Sequence, residues 1–334
     1  MKVAINGFGR IGKLVLRAFL ERNIKGIDIV AINELGSLES SYHLLKYDTS
    51  HGSLNYNMSK HKNGIKIKNK IINFYSEKNS SNLPWKKNNI DVVLECSGHY
   101  ASKEKSNSHL LSGAKKVIIS APATDVDATI VQGVNNNKLN KKHNIISNGS
   151  CTTNCLAPVA MVLDNEIGIE YGFMTTVHSF TGDQRTVDQN HNDLRRARTA
   201  SSSMIPTSTG AAKALGLVLP KLSGKLDGTA IRVPTPNVSL IDLTFVSKKN
   251  TTIDKINNFM KKASKSKNLR GILTTNNLPL VSTDFNHNPS SSIFDLTQTQ
   301  VLKNKFCRVL SWYDNEWGFS NRMIDTMIDL KKQL

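Results

Sequence analysis

The sequence predicts a two-domain α/β protein: a doubly wound parallel sheet over residues 1–150, then an α+β domain with a mostly antiparallel sheet over 151–315. Three observations predict it. Short apolar strands alternate with helical segments through the first 150 residues. A glycine-rich turn joins the first strand to the first helix. After residue 150 the apolar pattern changes to strands of period 2. The length of 334 residues fits two domains of about 150 residues each.

Val3 and Ile5 open a strand, and residues 13–22 place Leu14, Leu16, Ala18 and Phe19 near helical spacing. Residues 27–32 form an apolar run of the buried parallel type. The unit recurs as a strand over 91–98 that ends in a turn, a helix over 101–112 and a strand over 116–120, with one more strand at 145–147. Between 52 and 82, Ile65, Ile67, Ile71 and Phe74 alternate around Asn63-Gly64, which predicts a hairpin insertion with a type I′ turn at the sheet edge. In the second domain a helix is expected over 151–165 and strands over 174–178, 238–245 and 306–312. Residues 179–203 are polar and aperiodic, a long segment of the kind that serves function or an interface. The stretch 316–334 reads as an amphipathic helix, expected to pack back on the first domain.

Composition narrows the function classes. Lysine and arginine number 44 against 26 acidic residues, a formal net charge of +18. The lysines are scattered among Asn and Ile, all encoded by A/T-rich codons, and no aromatic-basic stacking motif accompanies them, so compositional drift is the favoured account and a nucleic-acid partner is not expected. A secondary nucleic-acid or anion-binding role stands as the alternative from another class. The charge also favours capture of small anions. No run of 18 apolar residues occurs, so no membrane partner is expected. The strand pattern starting at Met1 leaves no room for a signal peptide, which points to the cytoplasm.

Gly7-Phe8-Gly9-Arg10-Ile11-Gly12 is a G-x-G-x-x-G placed between strand and helix, and Glu34 follows Gly12 by 22 residues at the end of the next strand. That context is the Rossmann dinucleotide fingerprint. The glycines permit a tight turn and close approach to a pyrophosphate at a helix N-terminus. Glu34 can accept hydrogen bonds from adenosine ribose hydroxyls, and a carboxylate there disfavours a 2′-phosphate, so NAD is the expected cofactor.

Asn148-Gly149-Ser150-Cys151-Thr152-Thr153-Asn154-Cys155 carries two of the four cysteines at i, i+4. Too few Cys and His ligands stand at zinc spacing, and no metal is expected. Cys151 falls in the first turn of the predicted helix, where free N–H groups favour thiolate, with Cys155 one turn deeper as a buried thiol. The pattern alone leaves a reactive and an inert Cys151 both open. His178, at a strand end in the same domain, is the candidate partner that would stabilise the thiolate and pass a proton to or from a substrate oxygen.

These strings, together with Thr175-Thr176-Val177-His178, Pro206-Thr207-Ser208-Thr209-Gly210-Ala211-Ala212-Lys213, Arg232-Val233-Pro234-Thr235-Pro236-Asn237 and Ser311-Trp312-Tyr313-Asp314-Asn315-Glu316, resemble the phosphorylating glyceraldehyde-3-phosphate dehydrogenase family, essentially end to end. Gly149 stands where that family usually has Ala, and Glu34 where Asp is commoner. The resemblance implies that Cys151 attacks the aldehyde of glyceraldehyde 3-phosphate, His178 holds the oxygen and removes the proton, hydride passes to NAD and inorganic phosphate releases the resulting thioester. It implies that Thr181, Arg232 and Arg196 bind the C3 phosphate, and that Ser150, Thr152, Thr209 and Gly210 bind the attacking phosphate. On the cofactor side it implies Arg10 and Ile11 at the pyrophosphate, Ser120 at the nicotinamide half, Asn315 at the carboxamide and Lys78 at the adenosine end. The erythrose-4-phosphate dehydrogenases lack the string over 208–213, so triose phosphate is favoured. The polar loop resembles the bacterial and plastid branch, in which Asn190 replaces a Ser that helps bind NADP, so NADP use stays open. The resemblance also implies a homotetramer, with the polar loop between subunits.

Overall fold

The computed structural model describes residues 1–334. The chain divides into two compact units: Met1–Ile130 with Asn136–Gly149 and Ser320–Leu334, and Val131–Asn135 with Ser150–Phe319. No helix is long and apolar enough to cross a membrane.

The first unit is organised by a nine-stranded sheet. Across it run Ala128–Thr129, Ile145–Ser147, Lys116–Ile119, Val92–Glu95, Lys2–Asn6, Asp28–Asn33, Lys70–Tyr75, Gly64–Ile67 and Met58–His61. The first seven pair in parallel and the last two are antiparallel. The chain order reverses on either side of Lys2–Asn6, which makes that strand's end and the end of Val92–Glu95 the switch point where doubly wound sheets bind ligands. Parallel strands are buried on both faces, which is why Val3, Ala4, Ile5, Val92, Val93 and Leu94 are all fully buried.

The helix Arg10–Glu21 follows the glycine turn, and Gly9 at its N-cap offers no side-chain cap. The C-terminal helix Trp317–Lys331 joins this unit from Ser320 onward. Its Met323, Ile324, Met327 and Leu330 are fully buried, and Asp325 pairs with Arg22 at 2.7 Å.

The edge hairpin differs from the expectation in its turn. His61 pairs with Gly64, so the turn residues are Lys62 and Asn63, and neither has positive φ; the turn is not type I′. Gly64 is required for space, because a Cβ there would collide with the Ile72 carbonyl of the neighbouring strand. Left-handed φ at two successive turn residues occurs instead at Lys303 and Asn304, between Gln300–Leu302 and Phe306–Tyr313.

The second unit holds an eight-stranded sheet: Ile205–Ser208, Leu226–Val233, Ile169–Ser179, Ser239–Ser247, Phe306–Tyr313, Ser292–Asp295 and Leu273–Asn276 in order, with Gln300–Leu302 beside Phe306–Tyr313. It is mostly antiparallel; Ile169–Ser179 with Leu226–Val233 and Leu273–Asn276 with Ser292–Asp295 are the parallel pairs. The helices Cys151–Ile167, Ala211–Val218 and Ile253–Ser264 share one apolar core with the inward side chains of these strands, among them Met174, Ile241, Leu243, Phe245 and Val309. Tyr171, Phe173, Leu302 and Phe306 on the same sheet stay exposed. Between Ser179 and Ile205 the chain forms neither helix nor strand. Side chains hold it instead: Asp188 accepts from Arg198 and Thr199, and Asp193 accepts from Thr207.

Candidate active site

In the first unit the G-x-G-x-x-G turn is held close to its neighbours by missing side chains. Gly7 has φ +85°, and a Cβ on it would collide with the Ser97 backbone, while one on Gly12 would collide with the Gly7 carbonyl. Gly9 is different, since a Cβ there would meet nothing within 4 Å. That open side faces away from packed protein at an uncapped helix N-terminus, the cradle a pyrophosphate needs.

Gly7, Gly9, Glu34 and Lys78 line a cavity of about 410 Å³ that Ser97 and Tyr100 also reach. Glu34 accepts from the Phe8 N–H at 2.7 Å and from the Gly36 N–H at 3.0 Å, so this carboxylate also fastens the fingerprint turn. Arg10 forms an ion pair with Asp48 at 2.5 Å, an engagement no sequence signal announced. Ile11 is half-buried and Lys78 exposed. Ser120 stands just past the strand Lys116–Ile119 and draws the Cys96 thiol down against the larger upward push of burial.

The second unit brings a thiol, an imidazole and a guanidinium together. Ser150 caps the helix Cys151–Ile167, its Oγ accepting from the Thr153 N–H at 2.9 Å, which leaves Cys151 as the first helical residue. Cys151 Sγ lies 3.4 Å from His178 Nε2. The parallel pairing of Ile169–Ser179 with Leu226–Val233 sets His178 opposite Arg232. Arg232 donates to His178 Nδ1 at 2.8 Å and to the Ser179 carbonyl at 3.1 Å. Nδ1 therefore faces a donor in Arg232 and an acceptor in the Ser179 carbonyl, 2.7 Å away; the guanidinium has no lone pair to offer, and with Nδ1 accepting from it the ring proton is assigned to Nε2, facing the sulfur.

Electrostatics qualify the sequence-based expectation of a depressed thiol. Although Cys151 keeps some solvent access, burial pushes its thiol above the ordinary value; the Arg232 charge and the N–H groups at the helix start pull the other way. Burial, then the Arg232 charge, lowers His178 to about 3, so the imidazole is neutral at physiological pH. Arg232 forms no ion pair with a carboxylate, and its Nε is buried without a hydrogen-bond partner. Cys155 is fully buried beside Ser292 and Ser311, and burial pushes its thiol to about 12.

Other residues fall around this core with unequal freedom. Thr152 Oγ1 lies 2.8 Å from the Tyr313 hydroxyl, which also meets Thr176 Oγ1 at 2.9 Å. Tyr313 turns its ring edge to His178 at 5.9 Å, a positioning contact whose only signal in the sequence is its place directly before Asp314-Asn315. Asn315 Oδ1 accepts from Ser179 at 2.9 Å and from Ser239 at 2.8 Å, leaving its NH₂ free. Val238 beside it has φ +69°, a strained conformation for a β-branched residue. Thr181 donates to Gln184, and Arg196 pairs with Asp183 at 2.8 Å and Asp193 at 3.3 Å. Thr209 Oγ1 accepts from the Ala211 N–H at 3.2 Å, while Gly210 stands at the N-cap position of the helix Ala211–Val218 with no side-chain cap and has open space where a Cβ would stand.

Comparison with known proteins assigns both units to one family. Residues 150–315 match the family model described as the C-terminal domain of glyceraldehyde 3-phosphate dehydrogenase, and residues 1–103 match its NAD binding domain. The glyceraldehyde-3-phosphate dehydrogenase of Xanthobacter flavus is 54% identical over 332 residues, covering 99% of each chain. The chain belongs to the glyceraldehyde-3-phosphate dehydrogenase family. That of Zymomonas mobilis is 54% identical over 335 residues, covering 100% of this chain and 99% of its own, and that of Cereibacter sphaeroides is 51% identical over 334 residues. The family's NAD-binding domain spans the part of the first unit that carries the glycine turn, Glu34 and Lys78.

Proposed function

We propose that this chain oxidises glyceraldehyde 3-phosphate to 1,3-bisphosphoglycerate, consuming inorganic phosphate and reducing NAD, with Cys151 as nucleophile and His178 as its partner. The observation that carries the reading is the 3.4 Å approach of Cys151 Sγ to His178 Nε2, with Arg232 on the far side of the ring. Cys151 gives its S–H proton to solvent, helped by the Arg232 charge and the helix N–H groups against burial, and the thiolate adds to the aldehyde carbon; the new oxygen takes the Nε2–H of His178 as its donor. NAD, held through Glu34, Arg10 and Asn315, would supply the acceptor for the hydride that leaves that carbon. Cys151 is left as a thioester, which phosphate oxygen attacks; the C–S bond breaks, and the thiolate leaves into the field of Arg232.

Arg232 and Thr181 hold the C3 phosphate, the first through its guanidinium charge and the second through its hydroxyl. Arg196 adds charge there while its carboxylate pairs persist. Ser150, Thr152, Thr209 and Gly210 hold the attacking phosphate, the last at an uncapped helix start. Glu34 receives the adenosine ribose, Arg10 and Ile11 meet the pyrophosphate, and Lys78 contacts the adenosine end. Ser120 lies at the nicotinamide half, and the free NH₂ of Asn315 donates to the carboxamide.

The protein works in the cytoplasm as a homotetramer; the exposed Tyr171, Phe173, Leu302 and Phe306 support association of copies. It takes no membrane partner, and its +18 charge serves small anions rather than nucleic acid. NADH formation from glyceraldehyde 3-phosphate, followed at 340 nm, is expected to require added phosphate or arsenate. Turnover at full rate without either contradicts the proposal.

A further inference from the structure

Three parallel strands of the first unit end in polar residues withdrawn from water: Asn6, Asn33 and Glu95 are 3%, 5% and 1% exposed. A carboxylate buried to that degree is costly unless donors surround it. Glu95 has four. Asn6 Nδ2 donates to its Oε2 at 2.6 Å, and His109 Nε2 lies 2.9 Å from the same oxygen. The Ser97 N–H donates to Oε1 at 2.7 Å, and the Ser97 hydroxyl donates there too. Trp85 Nε1–H donates to His109 Nδ1 at 3.1 Å, which assigns the ring proton to Nε2 and makes the imidazole a donor to Glu95. From Asn6 the chain passes to Asn33 at 2.8 Å, and Asn33 brackets the backbone of Glu77 with both amide atoms at 2.9 Å.

This polar chain has one end deep in the unit and the other at the crevice. Trp85 and His109 are fully buried. Asn6, Asn33, Glu77 and Ser97 line the 410 Å³ cavity. Ser97 is also the backbone wall on which Gly7 packs, too close for any Cβ. We propose that Glu95 and His109 are positioning residues for the dinucleotide. Trp85 orients His109, His109 orients Glu95, and Glu95 clamps Ser97 so that the turn over residues 7–9 keeps the shape of its cradle. Neither side chain touches the cofactor. The inference rests on the reading of this crevice as the NAD site.

The test is equilibrium NAD binding by calorimetry. Glu95→Gln replaces one acceptor oxygen with an NH₂, which must face donors on one side. Its Kd for NAD is expected to rise about tenfold, while the rate at which iodoacetamide alkylates Cys151 stays unchanged. His109→Gln can accept from Trp85 and donate to Glu95, so it should stay within about threefold of the wild type, whereas His109→Leu reproduces the tenfold loss. A wild-type Kd in both Glu95→Gln and His109→Leu overturns the proposal. So does a His109→Gln as weak as His109→Leu, which marks packing and not hydrogen bonding as the cause. If Glu95→Gln does not fold, the His109 pair decides. Failure of the wild type itself to bind NAD removes the reading of the crevice, and this inference with it.

Discussion

In the first unit the candidate cofactor crevice is shaped mostly by backbone. Gly7 and Gly12 let chain segments touch, Gly9 leaves a space open, and the donors are helix N–H groups. In the second unit the candidate thiol site is made of side chains drawn from residues 151, 178, 232 and 313, and its properties depend on burial and on the charge of one arginine. A site made of backbone tolerates change in most side chains around it but not at the glycines. A site made of charges answers to single substitutions by shifting protonation before it loses shape.

The largest effect belongs to Cys151→Ser. A hydroxyl in its place is a far weaker nucleophile, so turnover should fall by about 10⁴-fold or more. NAD binding, which the backbone crevice supplies, should stay within about twofold. Cys155→Ser, at a thiol already pushed to about 12 by burial, should keep turnover within about threefold. Steady-state assays and calorimetry on the same preparations check this, and equal loss from both substitutions assigns the nucleophile wrongly.

How legible these two sites are in the sequence follows from the same contrast. The crevice is local: glycine spacing, a strand before, a helix after and an acidic residue beyond are all readable within 34 residues. The sheet around it was equally readable, because parallel strands are short continuous apolar runs. The edge turn was not, because Asn63-Gly64 satisfies both the turn pattern and the need for a side-chain-free residue against Ile72, and only the strand register tells them apart. The thiol site is non-local. Cys151 is visible from its helix start and His178 from its strand end, yet Arg232 reaches the imidazole through strand register and Tyr313 through a strand end 135 residues further on. The thiol's protonation does not follow from its position at the helix start alone, since burial at the site outweighs the N–H groups there.

Two glycine substitutions sharpen the first half of the contrast. Gly7→Ala forces a side chain into the left-handed region and into the Ser97 backbone, so it should cost about 2–4 kcal/mol of stability and NAD binding as well. Gly9→Ala meets no protein atom, so it should cost under about 1 kcal/mol of stability while weakening NAD at least about tenfold. Thermal unfolding with calorimetry separates the two. Loss of stability in Gly9→Ala equal to that in Gly7→Ala refutes the idea that the open side is kept for a ligand.

Arg232→Leu probes the second half. Removing the charge that draws the Cys151 thiol down should raise that thiol further, so alkylation by iodoacetamide at neutral pH should slow about tenfold and its pH profile should move to higher pH. Freed of its donor, His178 Nδ1 should take the proton and give it to the Ser179 carbonyl, 2.7 Å away. ¹⁵N chemical shifts of the ring report that change of tautomer. An unchanged alkylation profile means that Arg232 serves substrate alone.

The smallest effect is a slope. His178 is lowered to about 3 in the folded chain, chiefly by burial, against an ordinary value of 6.5. Above pH 6.5 the ring is neutral both folded and unfolded, and its contribution to stability is fully present. As the pH falls below 6.5 the unfolded chain takes up a proton that the folded chain refuses, and that contribution drains away until the pH reaches about 3. The slope approaches about 1.4 kcal/mol per pH unit, so between pH 7 and 5 the wild type should lose about 2 kcal/mol more than His178→Asn. Carboxylates held low by their partners, such as Asp48 and Asp127, lose their contribution at lower pH and do so equally in both proteins. Denaturant titrations at pH 5, 6 and 7 measure the difference. Parallel curves for the two proteins would show that the imidazole charges readily in the fold, and that it stands in water rather than behind Arg232.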